Sequence, residues 1–227
     1  GNSATAIFKL LGAQHVIING SKNNTNSRDL TITNTLDANL NGTIWLASAG
    51  SGMGVNNCVV KNCKLTGGAT QNFSTNVTYG IILSGNATVI TPGADNDNNL
   101  FDNNFIQRVN HGIALLGSTL DSDSGNVISN NLIGPTEFGF DEIGNVGILL
   151  SNQNGTIVRK NEVRFVGGLG NTSPASTSMG IGIGTSQGPA LTLLSSKITN
   201  AEVTENNIHD VINENTYSAV GIELSAV

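Results

Sequence analysis

Charge is what this chain has least of. Its 227 residues include 10 Lys or Arg and 16 Asp or Glu, which is 11%, where a globular domain typically carries about 25%. Aromatic residues are only 4%, with a single Trp, and there are 4 Pro and 2 Cys. Each shortage excludes something. Helix surfaces are usually built from Glu, Lys, Arg, Gln and Ala, so a chain this poor in charge is a poor candidate for a helical domain. A net charge of -6 with scattered cations leaves no electrostatic footprint for nucleic acid. No run approaches the ~20 apolar residues of a membrane-spanning helix. Cys58 and Cys63 lie five residues apart in one strand-like segment, where their side chains are poorly placed for a disulfide. With no further Cys, the spacing offers no pattern for a structural zinc site either. The redox compartment stays open.

The chain is rich instead in Asn, with 33 residues, and Gly, with 28. Both favour turns over helix interiors. A turn-dense chain should be searched for internal repeats, and one is present. A three-residue phrase recurs at Phe8-Lys9-Leu10, Ile44-Trp45-Leu46, Ile81-Ile82-Leu83, Ile113-Ala114-Leu115, Ile148-Leu149-Leu150, Ile181-Gly182-Ile183 and Ile222-Glu223-Leu224, at spacings of 36, 37, 32, 35, 33 and 41. Gly80, Gly112, Gly147, Gly180 and Gly221 directly precede the last five copies.

Between these lies a second phrase, an apolar residue, two of any kind, Asn, one of any kind, then apolar. Its Asn is Asn104, Asn131, Asn161 and Asn206, with Cys63 in the same slot of an earlier copy. Each phrase has the length and alternation of a short β-strand. A unit of 32–41 residues made of three short strands cannot bury its own apolar face, but stacked units can. The sequence therefore predicts an all-β solenoid over 1–227, about six coils of three short strands each. The recurrent Asn fits a tight bend, since Asn tolerates the left-handed backbone region, and stacked Asn amides can bond one another in a ladder. Cys63 would end that ladder.

The alternation of the Asn phrase with Gly-Ile-x-Leu resembles the right-handed parallel β-helix repeat proteins, a pectate-lyase-like solenoid family, over essentially the whole chain. The Asn- and Thr-rich style looks like that of large secreted or cell-surface proteins of Bacteroidota. The resemblance implies a parallel β-helix and leaves function open, because the family holds lyases, hydrolases, tailspikes, adhesins and filler segments. It also implies that Gly-Ile-x-Leu forms the first sheet, on whose outward face, and in whose flanking loops, the enzymes of the family keep their acids and bases.

Along that face the middle residue of the phrase is Lys9, Trp45, Ile82, Ala114, Leu149, Gly182 and Glu223 in successive coils. Uronate lyases need a base and a cation, and glycoside hydrolases need two carboxylates about 5–9.5 Å apart. Lys9 and Glu223, the only ionisable members, are six coil steps or roughly 29 Å apart at ~4.8 Å per step. Arg108 and His111 are the loop candidates for catalysis. The stripe of Trp45, Ile82 and Leu149 is a candidate contact surface, with Trp45 able to stack on a sugar if exposed. The favoured reading is that the loops at 66–79, 134–145, 164–179 and 209–219, which are long enough to do so, fold over it; packing against a neighbouring domain is the next. Asp95 and Asp97, with Asp121 and Asp123 one coil on, are candidate oxygen ligands for calcium.

These readings favour a non-catalytic structural or adhesive segment of a secreted or cell-surface protein, with polysaccharide as a candidate partner. The alternative is a polysaccharide lyase or glycoside hydrolase. No cap is evident at either end, so the chain is expected to be part of a longer solenoid or to dock neighbouring domains or further copies there.

Overall fold

The structure, a computed structural model, describes residues 5–68, 77–139, 141–167, 177–185, 196–213 and 217–225. Their order is strands throughout, broken by one 3-10 turn at Lys22–Asn24. Every strand pairing is parallel, and each strand pairs with its counterparts one coil away. The chain is thus a parallel β-helix.

Three long sheets run along it. The first has seven strands, Ala6–Leu11, Asn41–Ala47, Thr78–Ser84, Val109–Leu116, Ile143–Ser151, Ser178–Ile183 and Ala219–Leu224. The second has six, from Ile17–Asn19 to Glu202–Thr204, and the third has six, from Leu30–Thr33 to Asn207–Ile208. A small fourth sheet of Asp123–Ser124, Gln153–Asn154 and Ile198–Thr199 fills the corner between the first and second in later coils. The repeat phrases align in register, with Ile44 on Ile81, Ile81 on Ile113, Ile113 on Ile148 and Ile148 on Ile181.

The interior is a single apolar column. The first sheet supplies Ile44, Leu46, Ile81, Leu83, Ile113, Leu115, Ile148 and Leu150, the second Val60, Phe101, Ile128 and Val158, and the third Leu65, Ile106, Ile133 and Val163, all fully buried. A core this narrow leaves no room beside the glycine row. A Cβ on Gly147 would lie 2.3 Å from Val163 Cγ1 and 2.6 Å from the Gly180 carbonyl oxygen, and those on Gly80, Gly112 and Gly180 would be equally crowded. These glycines answer to the close approach of the third sheet and the next coil.

The asparagine ladder is present, but its backbone role differs from the expectation. The left-handed residue is the one before the ladder slot: Asn62, Asn103, Asn130, Lys160 and Glu205 have φ of 50–59°. The ladder Asn follows the bend and spends its side chain on the backbone. Asn131 Nδ2 donates to Asn161 Oδ1 at 3.0 Å and to the Phe101 carbonyl at 2.9 Å. The Asn131 backbone N–H reaches Asn161 Oδ1 as well, at 3.0 Å. Asn104 repeats this set toward Asn131 and Val60, and Asn161 toward Asn206 and Ile128. Asn206 Nδ2 donates to the Val158 carbonyl at 2.9 Å. Cys63 closes the row: its N–H donates to Asn104 Oδ1 at 3.1 Å, while its thiol contacts the Lys61 carbonyl oxygen. Burial pushes that thiol up to about 11.

Candidate functional site

The outward face of the first sheet carries a second apolar core. Trp45 is 2% exposed, and Ile82, Ala114 and Leu149 are completely buried. They pack with Val77, Tyr79, Val89, Leu116, Val146 and Met179, and with partly buried Leu40 and Ile90. Val89 and Ile90 come from the turn after the third first-sheet strand, a segment outside the four loops expected to cover the stripe. Of those loops, 69–76, 140, 168–176 and 214–216 lie outside the described residues. The indole of Trp45 donates from Nε1 to Ser84 Oγ at 2.8 Å. The Lys9 ammonium sits 3.7 Å from the Trp45 ring centroid and donates to Asn86 Oδ1 at 2.6 Å, a cation–π lid over the ring. Trp45, Ile82 and Leu149 therefore form a packed layer. The reading of this stripe as an open ligand surface is corrected by that burial, which leaves the Trp45 ring no free face for a sugar.

His111 is fully buried in its strand and stacks on Tyr79, one coil below, with ring centroids 5.1 Å apart and planes at 27°. The Tyr79 hydroxyl is buried without a hydrogen-bond partner among the described residues, and burial raises its pKa. Arg108 sits at the bend leading into the same strand. It is left-handed, with φ of 59°, and its backbone N–H donates to the Asp141 carbonyl at 2.8 Å. The bend and strand hold Arg108 half-buried and His111 inside the packed layer, so His111 has no solvent-facing edge from which to exchange a proton with a polymer substrate. Beside His111, Asn110 is also buried, and its backbone N–H donates to Thr78 Oγ1 at 3.0 Å.

The acidic residues divide. Asp95 and Asp121 come together across consecutive coils: their hydrogen bond and mutual charge repulsion hold Asp121 above the usual carboxylate range. Asp97 is used locally, its Oδ1 accepting from the Ser124 N–H at 2.6 Å and from Ser124 Oγ at 3.0 Å. Asp123 is not in the loop at all. It is fully buried at the start of the small fourth sheet, where the Asn96 N–H donates to Oδ1 at 3.0 Å and Gln153 Nε2 to Oδ2 at 3.3 Å. Burial pushes its carboxyl up to about 8. Strand alternation turns Asp123 inward while Asp121 stays in the turn, so the four carboxylates do not converge. Among the described residues no group of three or more His, Cys, Asp or Glu side chains is placed to hold a metal ion.

Asp123 belongs to ladders that the sequence reading missed. Cys58 N–H donates to Asn99 Oδ1, Asn99 N–H and Nδ2 donate to Asn126 Oδ1, and Asn126 Nδ2 continues to Gln153 Oε1, all at 3.0–3.2 Å. A further row runs from Val55 N–H to Asn96 Oδ1 and from Asn96 N–H to Asp123. The signal was available: Cys58 and Cys63, Asn99 and Asn104, and Asn126 and Asn131 share a spacing of five. Both cysteines thus fill Asn slots in one coil, at the ends of two parallel rows. Both are free thiols.

Among the described residues no helix is long and apolar enough to cross a membrane. Comparison of the chain with protein-family models, with curated proteins and with solved structures finds no match.

Proposed function

We propose that this chain is a non-catalytic structural segment, a β-helix scaffold or spacer of a secreted or cell-surface protein akin to the pectate-lyase-like solenoids in architecture. One observation carries the reading: the face on which an enzyme of this shape would hold its substrate is packed as a second apolar core, with Trp45, Ile82, Ala114 and Leu149 at most 2% exposed. Polymer cleavage needs solvent-accessible acids, bases or cations next to a cleft. His111, the best base candidate, stacks on Tyr79 inside this layer. Chain–chain adhesion through the ends or sides of such a rod, including contact with polysaccharide, is compatible with the scaffold role.

The test is an assay of the 227-residue chain on a panel of uronate polymers with calcium, following unsaturated product in the ultraviolet. No product is expected. Turnover that disappears in Arg108→Ala or His111→Ala would overturn the scaffold reading in favour of the lyase alternative.

A further inference from the structure

The outward face of the third sheet carries a groove on the middle coils of the rod. Leu65 and Ile106 point into the apolar column, so strand alternation turns their neighbours Lys64, Phe105 and Gln107 outward. Lys64 and Phe105 lie side by side on consecutive coils. One coil further on, Gly134 at φ of 109° turns the chain out of the sheet. The segment that follows comes to line the same space. The groove encloses about 470 Å³, with Lys64, Phe105 and Gln107 from the sheet and residues 135–139 and Asp141 from the loop. Phe105 and Phe138 are each half-buried, in contrast to the sealed Trp45 layer on the first sheet.

The loop wall is pinned from behind. The Pro135 carbonyl accepts from Arg164 Nε at 2.5 Å, and the Gly139 N–H donates to Glu142 Oε1 at 2.6 Å. Phe138 meets Phe165 edge to face, with ring centroids 4.6 Å apart. Gln107 Nε2 donates to Asp141 Oδ2 at 3.4 Å, which ties the loop to the sheet. A concavity held this way is formed before any ligand arrives, which lowers the cost of binding. Its size is that of a small-molecule site, and so is its make-up of apolar side chains with a few polar groups among them.

The lining also selects the kind of ligand. Glu137 and Asp141 bring two carboxylates, which oppose an anion. Lys64 brings an ammonium, which opposes a cation. The Lys64 ammonium lies 5.5 Å from the Phe105 ring centroid and has no hydrogen bond or ion pair among the described residues. That distance is near the outer limit of a cation–π contact, so the flexible stem is able to turn toward a ligand. Donors and acceptors beside an aromatic ring, with little net charge, match a molecule that has many hydroxyls and a flat C–H face.

We infer that this lateral groove binds a neutral oligosaccharide, with one pyranose ring against Phe105. The Asp141 and Glu137 carboxylates accept from its hydroxyls, and the Lys64 ammonium donates to a hydroxyl or ring oxygen. The rod then holds a glycan on its side while its interior carries the fold. The inference rests on the scaffold reading above. That reading fails on uronate cleavage and this one on neutral-sugar binding, so the two failures are distinct.

The probes are cellotetraose, mannotetraose and xylotetraose, each titrated calorimetrically into the 227-residue chain. Saturable binding without cleavage is expected for at least one. Phe105→Ala should weaken it at least about tenfold, because the ring that the sugar packs on is gone, and Phe105→Tyr should restore it. Asp141→Asn should weaken it about fivefold, since a hydroxyl bonds a carboxylate more strongly than an amide. Asn207→Ala, on the same sheet three coil steps from Phe105, should leave binding unchanged. Circular dichroism of each variant checks that the fold is kept. No saturable binding of any of the three sugars, or binding indifferent to Phe105→Ala, would overturn the proposal. So would tighter binding of tetragalacturonate or of fully deacetylated chitotetraose, which would assign the groove to an anion or a cation.

Discussion

Asp123 makes the stability of this rod depend on pH in the direction opposite to that of most carboxylates. An unfolded Asp loses its proton near 3.8, but burial holds the folded Asp123 carboxyl up to about 8. Below 3.8 both states carry the proton and the group contributes nothing. Between the two values the folded chain must keep a proton that the unfolded chain has released, so stability falls as pH rises. At ~1.4 kcal/mol per pH unit, the interval amounts to about 6 kcal/mol, fully expressed above pH 8. Asp123→Asn should remove it. The slot one coil below already holds Asn96, whose Nδ2 reaches the Ser84 carbonyl oxygen, so the amide suits the site. Urea or thermal unfolding of the two proteins from pH 4 to pH 9 is the assay. The variant should match the wild type near pH 4 and exceed it progressively, by roughly 12–24 °C in Tm above pH 8 for a chain of this size. Asp121, raised by Asp95, and His209, raised by Asp210, tilt the wild-type curve the same way, and the difference between the two proteins cancels both. A gap between variant and wild type that is the same at pH 4 and pH 9 would refute the argument, because it would show that Asp123 is ionised in the folded chain throughout.

Three further outcomes follow from the packing. Gly147→Ala should cost about 2–3 kcal/mol, because its Cβ overlaps Val163 and the Gly180 carbonyl oxygen, whereas Gly221→Ala should stay within about 0.5 kcal/mol; denaturant midpoints of the pair distinguish steric exclusion from a loss of turn flexibility. Asn131→Leu should cost about 3–5 kcal/mol, since it removes its own bonds to Asn161 and Phe101 and strands the Asn104 N–H and Nδ2 that donate to it; urea melts read the loss. Lys160→Gly should stabilise by about 1 kcal/mol, because Lys160 holds φ of 56° on the surface, and its 3.7 Å ion pair with Glu205 is exposed and contributes little; a lower Tm in this variant would count against the reading.

The period, the register and the choice of inward side chains were legible in the sequence, because each is a local property repeated many times. Ile-x-Leu alternates at the spacing of a strand, and Asn104, Asn131, Asn161 and Asn206 recur at the spacing of a coil. The solenoid follows from those two facts, since short strands with one apolar edge are stable only when stacked. What the sequence could not decide was everything that depends on a second layer. Trp45, Ile82 and Leu149 read as a stripe that loops are expected to cover, but which segments cover it is decided only by the packing of Val77, Val89, Leu40 and the Lys9 ammonium against them. Asp121 and Asp123 are two residues apart and chemically identical, yet one stays in a turn beside Asp95 and the other enters a ladder one coil above Asn96. Burial and partner identity are long-range properties, set by which coil lies above and which loop lies across, so they are fixed by the tertiary structure alone.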